Sequence, residues 1–303
     1  MNKRTTFLIL SLFFIFHQGV GQTYKMQFND LLAKHDTVAM QRLLQNWESS
    51  DSNDAELFVA YFNYYLNISR KENITLGQNP KGEYAFAIMD QDTTKKEPVG
   101  YMYGDTYYDR DTLSKAFYWI DKGIIKYPDR LDMRFGKIYL LGQIEDYETF
   151  TNEIIKTVDY SSLNKNKWAW EDNQPVEDPK NFMLSSIQDY QVQLYNTGND
   201  SLLNNMKRIA EAILKYYPDH IESLSNLSVV YMIQSQYDKA LELLLKAHEL
   251  NPKDYIVLNN IAQAYRLKGD DKNAIKYYQL TIEYGDERAK EQAQKRIEEL
   301  KKK

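Results

Sequence analysis

Acid–base, nucleophilic and metal chemistry draw on a short set of side chains, and this sequence of 303 residues offers few of them in usable spacing. There is no cysteine, which removes disulfides, thiolate metal sites and a thiol nucleophile. The four histidines, His17, His35, His220 and His248, are isolated from one another, and helix-end or surface roles account for them without a ligand. No serine or lysine lies in a nucleophile motif, and no glycine-rich loop is built to cradle phosphate. Asp90 and Asp92 put two oxygen donors in one polar loop, but the further ligands and the glycine of a calcium loop are missing. Asp36, Asp111 and Asp200 precede runs with helical spacing, where a carboxylate serves as an N-cap. The expectation is therefore no catalytic residue, no metal ligand and no cofactor. Binding chemistry is better represented. The chain has 25 tyrosines, a residue whose ring packs while its hydroxyl stays wet. Tyr84, Tyr101, Tyr103, Tyr107 and Tyr108 cluster in one stretch, and Trp168 and Trp170 in another. Exposed, they would stack on a sugar or a peptide; packed, they would dock loops onto the rest of the fold.

The elements that must position these residues begin after a leader-like segment. Lys3 and Arg4 precede the apolar run Phe7–Phe16, and Gly19, Val20 and Gly21 supply small residues before Gln22. This pattern predicts a secretory signal peptide over residues 1–21, cleaved after Gly21. The run is too short for the roughly 20 residues that span a bilayer. Export without any cysteine predicts a periplasmic or secreted bacterial protein that is not a lipoprotein and has no membrane span after cleavage. Residues 1–21 hold two of the 38 Lys and Arg residues and no acid, so a chain starting at Gln22 carries 36 bases against 43 acids, a net charge of −7. A mildly acidic chain without a basic stripe is a poor nucleic-acid binder. Sequons at Asn67, Asn73, Asn199 and Asn226 are read as chance, because Asn226 falls inside a helical pattern.

Helical spacing recurs along most of residues 22–303. Tyr24–Lys34 forms one run, and a second after Asp36 places Met40, Leu43, Leu44 and Trp47 on one face. Ala55–Asn67 is apolar nearly all round and predicts a helix buried on two sides. The spacing then fails over residues 70–109, where Tyr84–Met89 and Val99–Tyr103 flank a polar loop and predict an inserted β-hairpin. Helix returns over Asp111–Tyr127 and in a pair over Leu131–Thr157, whose first member puts Arg134 and Lys137 at core positions. A one-residue shift that turns Met133 and Gly136 inward repairs this. Residues 159–180 read as a linker. Asn181–Asn196 and Ser201–Tyr217 form a further pair.

Ile221–Asp254 and Tyr255–Arg288 align without a gap, 34 residues each. Leu224 falls on Leu258, Leu227 on Ile261, Tyr231 on Tyr265, Ala240 on Ala274 and Leu244 on Tyr278. Pro218 and Pro252 close the blocks that precede these two. A fixed period of this length signals a stacked helical repeat. Small residues sit where helices cross closely, and proline ends the second helix of a unit because it cannot continue the hydrogen-bond ladder. Ala289–Lys303 keeps only Ala289, Ala293, Ile297 and Leu300 apolar, as a solenoid's polar capping helix requires.

The residues Leu224, Leu227, Tyr231, Ala240, Leu244, Ala247 and Pro252, followed by Leu258, Ile261, Ala262, Tyr265, Ala274 and Tyr278, resemble the tetratricopeptide-repeat (TPR) pattern. The resemblance implies an all-α, TPR-like helical-hairpin solenoid of about five to six helix pairs, a capping helix and the β-hairpin insertion. It also implies an interaction scaffold whose concave groove is lined by the first helix of each repeat. Carried onto this sequence, the lining is Glu222, Ser225, Asn226, Val229, Met232 and Ile233, then Ile256, Asn259, Asn260, Gln263, Arg266 and Leu267. Of these, Asn226, Val229, Ile233, Asn259, Asn260, Gln263 and Arg266 are the candidate partner-binding residues. Their amides suit a peptide backbone or a partner helix. A carboxylate clamp of the kind some TPR domains carry is not expected. Asn260 and Lys290 match two of its positions, but Ser225, Val229 and Gln294 stand where lysine, asparagine and arginine would be needed. The expected function is a non-catalytic adaptor of the bacterial envelope with a protein partner. The alternative is a glycan- or nutrient-binding accessory protein that uses Tyr84, Tyr101, Tyr103, Trp168 and Trp170.

Overall fold

A computed structural model describes residues 10–80, 84–92 and 94–302, with side chains from residue 21 onward. Of the predicted leader, residues 1–9 lie outside the described residues and residues 10–20 are described as backbone alone. The described residues form thirteen α-helices and five strands. They divide into two units: residues up to Lys137 together with Ala169–Gln174, and Ile138–Trp168 together with Pro175–Lys303.

The first unit holds α1 (Leu10–Ala33), α2 (Thr37–Ser50), α3 (Ala55–Ser69), α4 (Arg110–Lys126) and the start of α5 (Leu131–Gln143). Met40, Leu44 and Trp47 share one face of α2 and are fully buried, with Phe28, Leu57, Tyr61 and Tyr64 around them. Gly123 on α4 sits so close to Phe58 and Met133 that a side chain there would collide with both. Asp36 caps α2 by accepting from the Ala39 N–H, as expected. The caps of α4 and of the turn before α8 are Asp109 and Asn199 rather than Asp111 and Asp200. Asp111 lies instead in the first turn of α4, where its charge still complements the helix dipole. The register expected for α5 is also corrected. Met133 is buried and Gly136 half-buried, but Arg134 and Lys137 are buried as well. Each satisfies its charged end, Arg134 through the Pro128 carbonyl at 3.1 Å and Lys137 through Asp121 at 2.6 Å.

Between α3 and α4 the chain makes a three-stranded antiparallel sheet, not the two-stranded hairpin expected from the sequence. Its strands are β1 (Arg70–Gly77), β2 (Ala85–Ile88) and β3 (Gly100–Tyr108), in the order β1–β3–β2. The Asp109 N–H donates to the Ser69 carbonyl at 2.8 Å and closes the neck of the insertion. Met102 pairs with Leu76 on one side and Phe86 on the other. Side chains alternate between faces, so these three share a face with Ile74 and Ile88, and all five are exposed.

The second unit continues through α6 (Tyr147–Leu163), α7 (Pro179–Asn196), α8 (Leu203–Tyr216), α9 (Ile221–Ile233), α10 (Tyr237–Leu250), α11 (Tyr255–Lys268), α12 (Asp271–Tyr284) and α13 (Glu287–Lys301). The stretch expected as a linker carries two minimal strands, β4 (Ala169–Trp170) and β5 (Gln174–Pro175). Leu224, Ala240, Leu244, Ala247, Leu258, Ile261, Ala274 and Tyr278 form one buried core, which Ala293, Ile297 and Leu300 of α13 extend. Four helix–helix turns share one geometry. His35, Glu145, Ser235 and Gly269 each take a left-handed φ, 55°, 59°, 58° and 86°. In each, the next residue's N–H bonds to the carbonyl five residues back, which satisfies the end of the outgoing helix.

Candidate binding groove

A helix presents residues at i, i+3, i+4 and i+7 on one side. In α9 those positions are Glu222, Ser225, Asn226 and Val229. In α7 the residues one 34-residue period earlier are Gln188, Gln191, Val192 and Tyr195. Ile256 and Asn260 of α11 stand one period later. Together with Met206, Ile221, Asp254 and Val257, these ten residues line a cavity of about 340 Å³. The repeat therefore runs through three in-register units, with α7–α8 as the first.

The polar side chains of the groove are largely paired with one another across the repeats. Asn226 Nδ2 donates to Gln188 Oε1 at 2.6 Å. Asn260 Nδ2 donates to Ser225 Oγ at 3.0 Å. Two carboxylates, Glu222 and Asp254, lie along the groove, and no lysine or arginine lines it. Asp254 Oδ1 caps α11 through the N–H groups of Ile256 and Val257. His220 caps α9, with Nδ1 accepting from the Ser223 N–H and Nε2 3.1 Å from Glu222. Burial lowers its pKa below the usual 6.5; Glu222 pulls the other way and Lys180 reinforces the fall.

Of the residues expected to bind a partner, Asn226, Val229 and Asn260 line this cavity. Ile233, Asn259, Gln263 and Arg266 lie outside it. Gln263 is used within the repeat, where its Oε1 accepts from the Tyr278 hydroxyl at 3.1 Å and from Arg266 Nε at 3.2 Å. Gln188, Gln191, Val192 and Tyr195 were missed by the sequence reading, although carrying the period back one more unit finds all four. Most of the residues of the alternative aromatic surface are not open to solvent. Trp168 is buried against Tyr160, their rings 5.8 Å apart, and Tyr103 is buried with its ring over Gly77. Trp170 is half-buried beside Phe135, Tyr101 is half-buried, and only Tyr84 of the five is fully open. Burying a ring gains more than exposing it, so the buried members complete local packing.

A second recess, of about 580 Å³ in the first unit, is lined by Asp51, Asp54, Glu56 and Asp172 among others. Most of this acidity is already engaged. Glu56 pairs with Arg130 at 2.7 Å and with Lys25 at 3.5 Å, Asp172 pairs with Lys25 at 3.1 Å, and Asp54 accepts from Trp47 Nε1 at 3.0 Å. Among the described residues no group of three or more His, Asp or Glu side chains is placed to hold a metal ion.

Residues 219–285 match the family model described as tetratricopeptide repeat. Among solved structures, the chain is similar to YrrB, described as a TPR protein with an unusual peptide-binding site, at 13% identity and a TM-score of 0.41 over 83% of this chain and 97% of that one. It is also similar to the C-terminal part of a TPR repeat-containing protein from Cytophaga hutchinsonii, at 15% identity and a TM-score of 0.42 over 86% and 78%. The Sgt2 TPR domain from Aspergillus fumigatus aligns at 22% identity and a TM-score of 0.32 over 38% and 82%. No curated protein matches the sequence. The match over residues 219–285 and the 34-residue register that structure and sequence share make α9–α12 a pair of tetratricopeptide repeats within the chain.

Proposed function

We propose that the chain is a non-catalytic adaptor of the bacterial cell envelope that holds a segment of another protein in the groove of α7, α9 and α11. Tetratricopeptide repeats bind protein partners on surfaces built by stacking equivalent helices. The observation that carries the reading is the 340 Å³ cavity, where equivalent positions of three successive repeats bring amides and exposed apolar side chains together. Amides along an apolar trough can satisfy a partner's polar groups while the trough takes its side chains. Export rests on the leader-like pattern of residues 1–21; among the described residues no helix is long and apolar enough to cross a membrane.

Cross-linking in envelope extracts, with wild type compared against a Val229→Asp/Ile256→Asp variant, tests the groove. Charges in an apolar trough should cut recovery of the cross-linked partner at least about tenfold, because a buried unpaired charge is strongly unfavourable. Equal recovery from the two proteins would place the partner elsewhere on the chain.

A further inference from the structure

Gln191 occupies the repeat position that Ser225 and Asn259 hold one and two periods later. It is 1% exposed, and neither its Nε2 nor its Oε1 has a hydrogen-bonding partner. Buried polar groups are almost always paired, and the neighbouring amides here show how: Gln188 and Asn226 satisfy each other, and Asn260 uses Ser225. Gln191 lines the same groove with one donor and one acceptor unused.

We propose that Gln191 reads the backbone of a bound peptide, and that the peptide is extended and cationic. This rests on the groove reading above. In an extended strand the N–H and C=O of one residue point to the same side, and one carboxamide can meet both. In a helical partner those groups are consumed by the helix itself, so an unpaired amide at the groove favours a strand over a helix. Charge sets the second requirement, because Glu222 and Asp254 line the groove without any basic side chain. Val192, Val229 and Ile256 supply apolar contacts between them, Val192 and Ile256 being exposed. A strand presents alternate side chains to one surface, so apolar residues facing the trough with lysine or arginine at its edge fit the lining. The amide is shut off from solvent in the free protein, so a ligand must part the side chains around it. Val192 and Tyr195, exposed beside it on α7, have the room to swing.

The test is selection of a phage-displayed random nonapeptide pool on the full-length protein. The most enriched sequence is then synthesised with both ends capped and titrated by fluorescence anisotropy. Enriched peptides should be rich in Lys, Arg and aliphatic residues, and binding should survive amidation of the C-terminus. Gln191→Leu should weaken binding about tenfold, the loss expected for two hydrogen bonds. The same variant should melt a few degrees higher, because it removes a buried polar group that has no partner in the free fold. Acidic or helix-forming winners, or a Gln191→Leu protein that binds as wild type, would overturn the role of Gln191 while leaving the groove standing. A Gln191→Leu protein that melts lower would show that the amide serves the fold, and would also overturn it. Winners whose binding ignores Val229→Asp/Ile256→Asp, or a pool with no winners, would overturn the groove reading itself.

Discussion

Arg130 is 1% exposed and carries its charge there because three groups surround it. Its Nη1 lies 2.7 Å from Glu56 Oε1, its Nε and Nη2 form a two-pronged pair with Asp132 at 2.8 and 2.7 Å, and Asn173 Oδ1 accepts from Nη1 at 3.2 Å. Burial alone would lower the guanidinium's pKa, but the hydrogen bonds and charges of Asp132 and Glu56 outweigh it and the net shift is upward. Glu56 also accepts from the Asp172 N–H at 2.8 Å, so one buried pair fixes the turn at 171–173 against α3. Removing one member of such a pair leaves an uncompensated charge. Arg130→Met should therefore cost about 3–5 kcal/mol in urea unfolding. The double variant Arg130→Met/Glu56→Met should recover a large part of that loss. If the single variant unfolds like wild type, the pair has no structural role. None of this was legible in the sequence. Glu56 and Arg130 are far apart in the chain, one in a helical run and the other in the turn between two later helices, and neither sits in a local pattern that names its partner. The groove was half legible, because a period projects positions forward without reporting which amides spend themselves on each other. Gln263 and Arg266 follow the pattern and are used internally, whereas Gln191 follows it and is free.

His220 governs the start of α9 through its ring nitrogen, and its lowered pKa makes that start sensitive to acid. The unfolded chain takes up its proton near pH 6.5, while the folded chain resists protonation until a lower pH. Between those two points the unfolded state binds more protons. This contribution to stability is therefore complete above about pH 6.5 and is lost as the pH falls toward the folded value. Protonation also ends the acceptor role of Nδ1 toward the Ser223 N–H and puts a positive charge at a helix N-terminus, where it is disfavoured. Thermal melts between pH 7.5 and pH 5 should show a downward slope that His220→Asn, which keeps a capping oxygen, makes shallower. An identical slope in the variant would assign the acid sensitivity to other groups. A helix-end position for His220 was expected from the sequence, but the cap itself was not, since the usual N-cap set is Ser, Thr, Asp and Asn. Strand β1 was unreadable for another reason. Its sequence, Arg70–Gly77, is mostly polar, with Ile74 and Leu76 too short an apolar alternation to mark a strand; it becomes one because β3 offers a pairing edge across the insertion. Helices with their own apolar stripe, such as α2 and α8, were readable because periodicity is a local property. The left-handed turns at His35, Glu145 and Ser235 lack the glycine that marks Gly269, so only one of four equivalent turns announces itself by residue type.

At the scale of the whole chain, a repeat protein is legible in proportion to how nearly each unit touches only its neighbours. That holds best from α7 to α12, where three periods of 34 residues stay in register, and it fails at the inserted sheet, whose pairings are set by contacts the period does not encode. The same nearest-neighbour logic makes the last helix decisive for the array. α13 buries Ala293, Ile297 and Leu300 against the core that holds Ala274 and Tyr278, while the rest of its surface is mostly charged. Without it, the face of α12 that α13 covers would meet water. Fully burying an isoleucine or leucine side chain is worth about 1.5–3 kcal/mol, so losing Ile297 and Leu300 should cost about 3–6 kcal/mol. A chain truncated after Asp286 should unfold at clearly lower urea, bind a hydrophobic dye in the native state and lose soluble yield. The double variant Ile297→Asp/Leu300→Asp should reproduce these effects with the chain length unchanged, which separates the loss of the apolar face from the loss of residues 287–303. If both proteins keep the wild-type midpoint, α12 closes the stack unaided and α13 is an appendage. If only the truncation is destabilised, the charged face of α13 contributes through its own ion pairs, such as Arg296 with Glu299 at 2.9 Å, more than through its buried edge. Exposed i, i+3 pairs of that kind are screened by solvent and add little to stability, so the buried edge is where the loss should be measured.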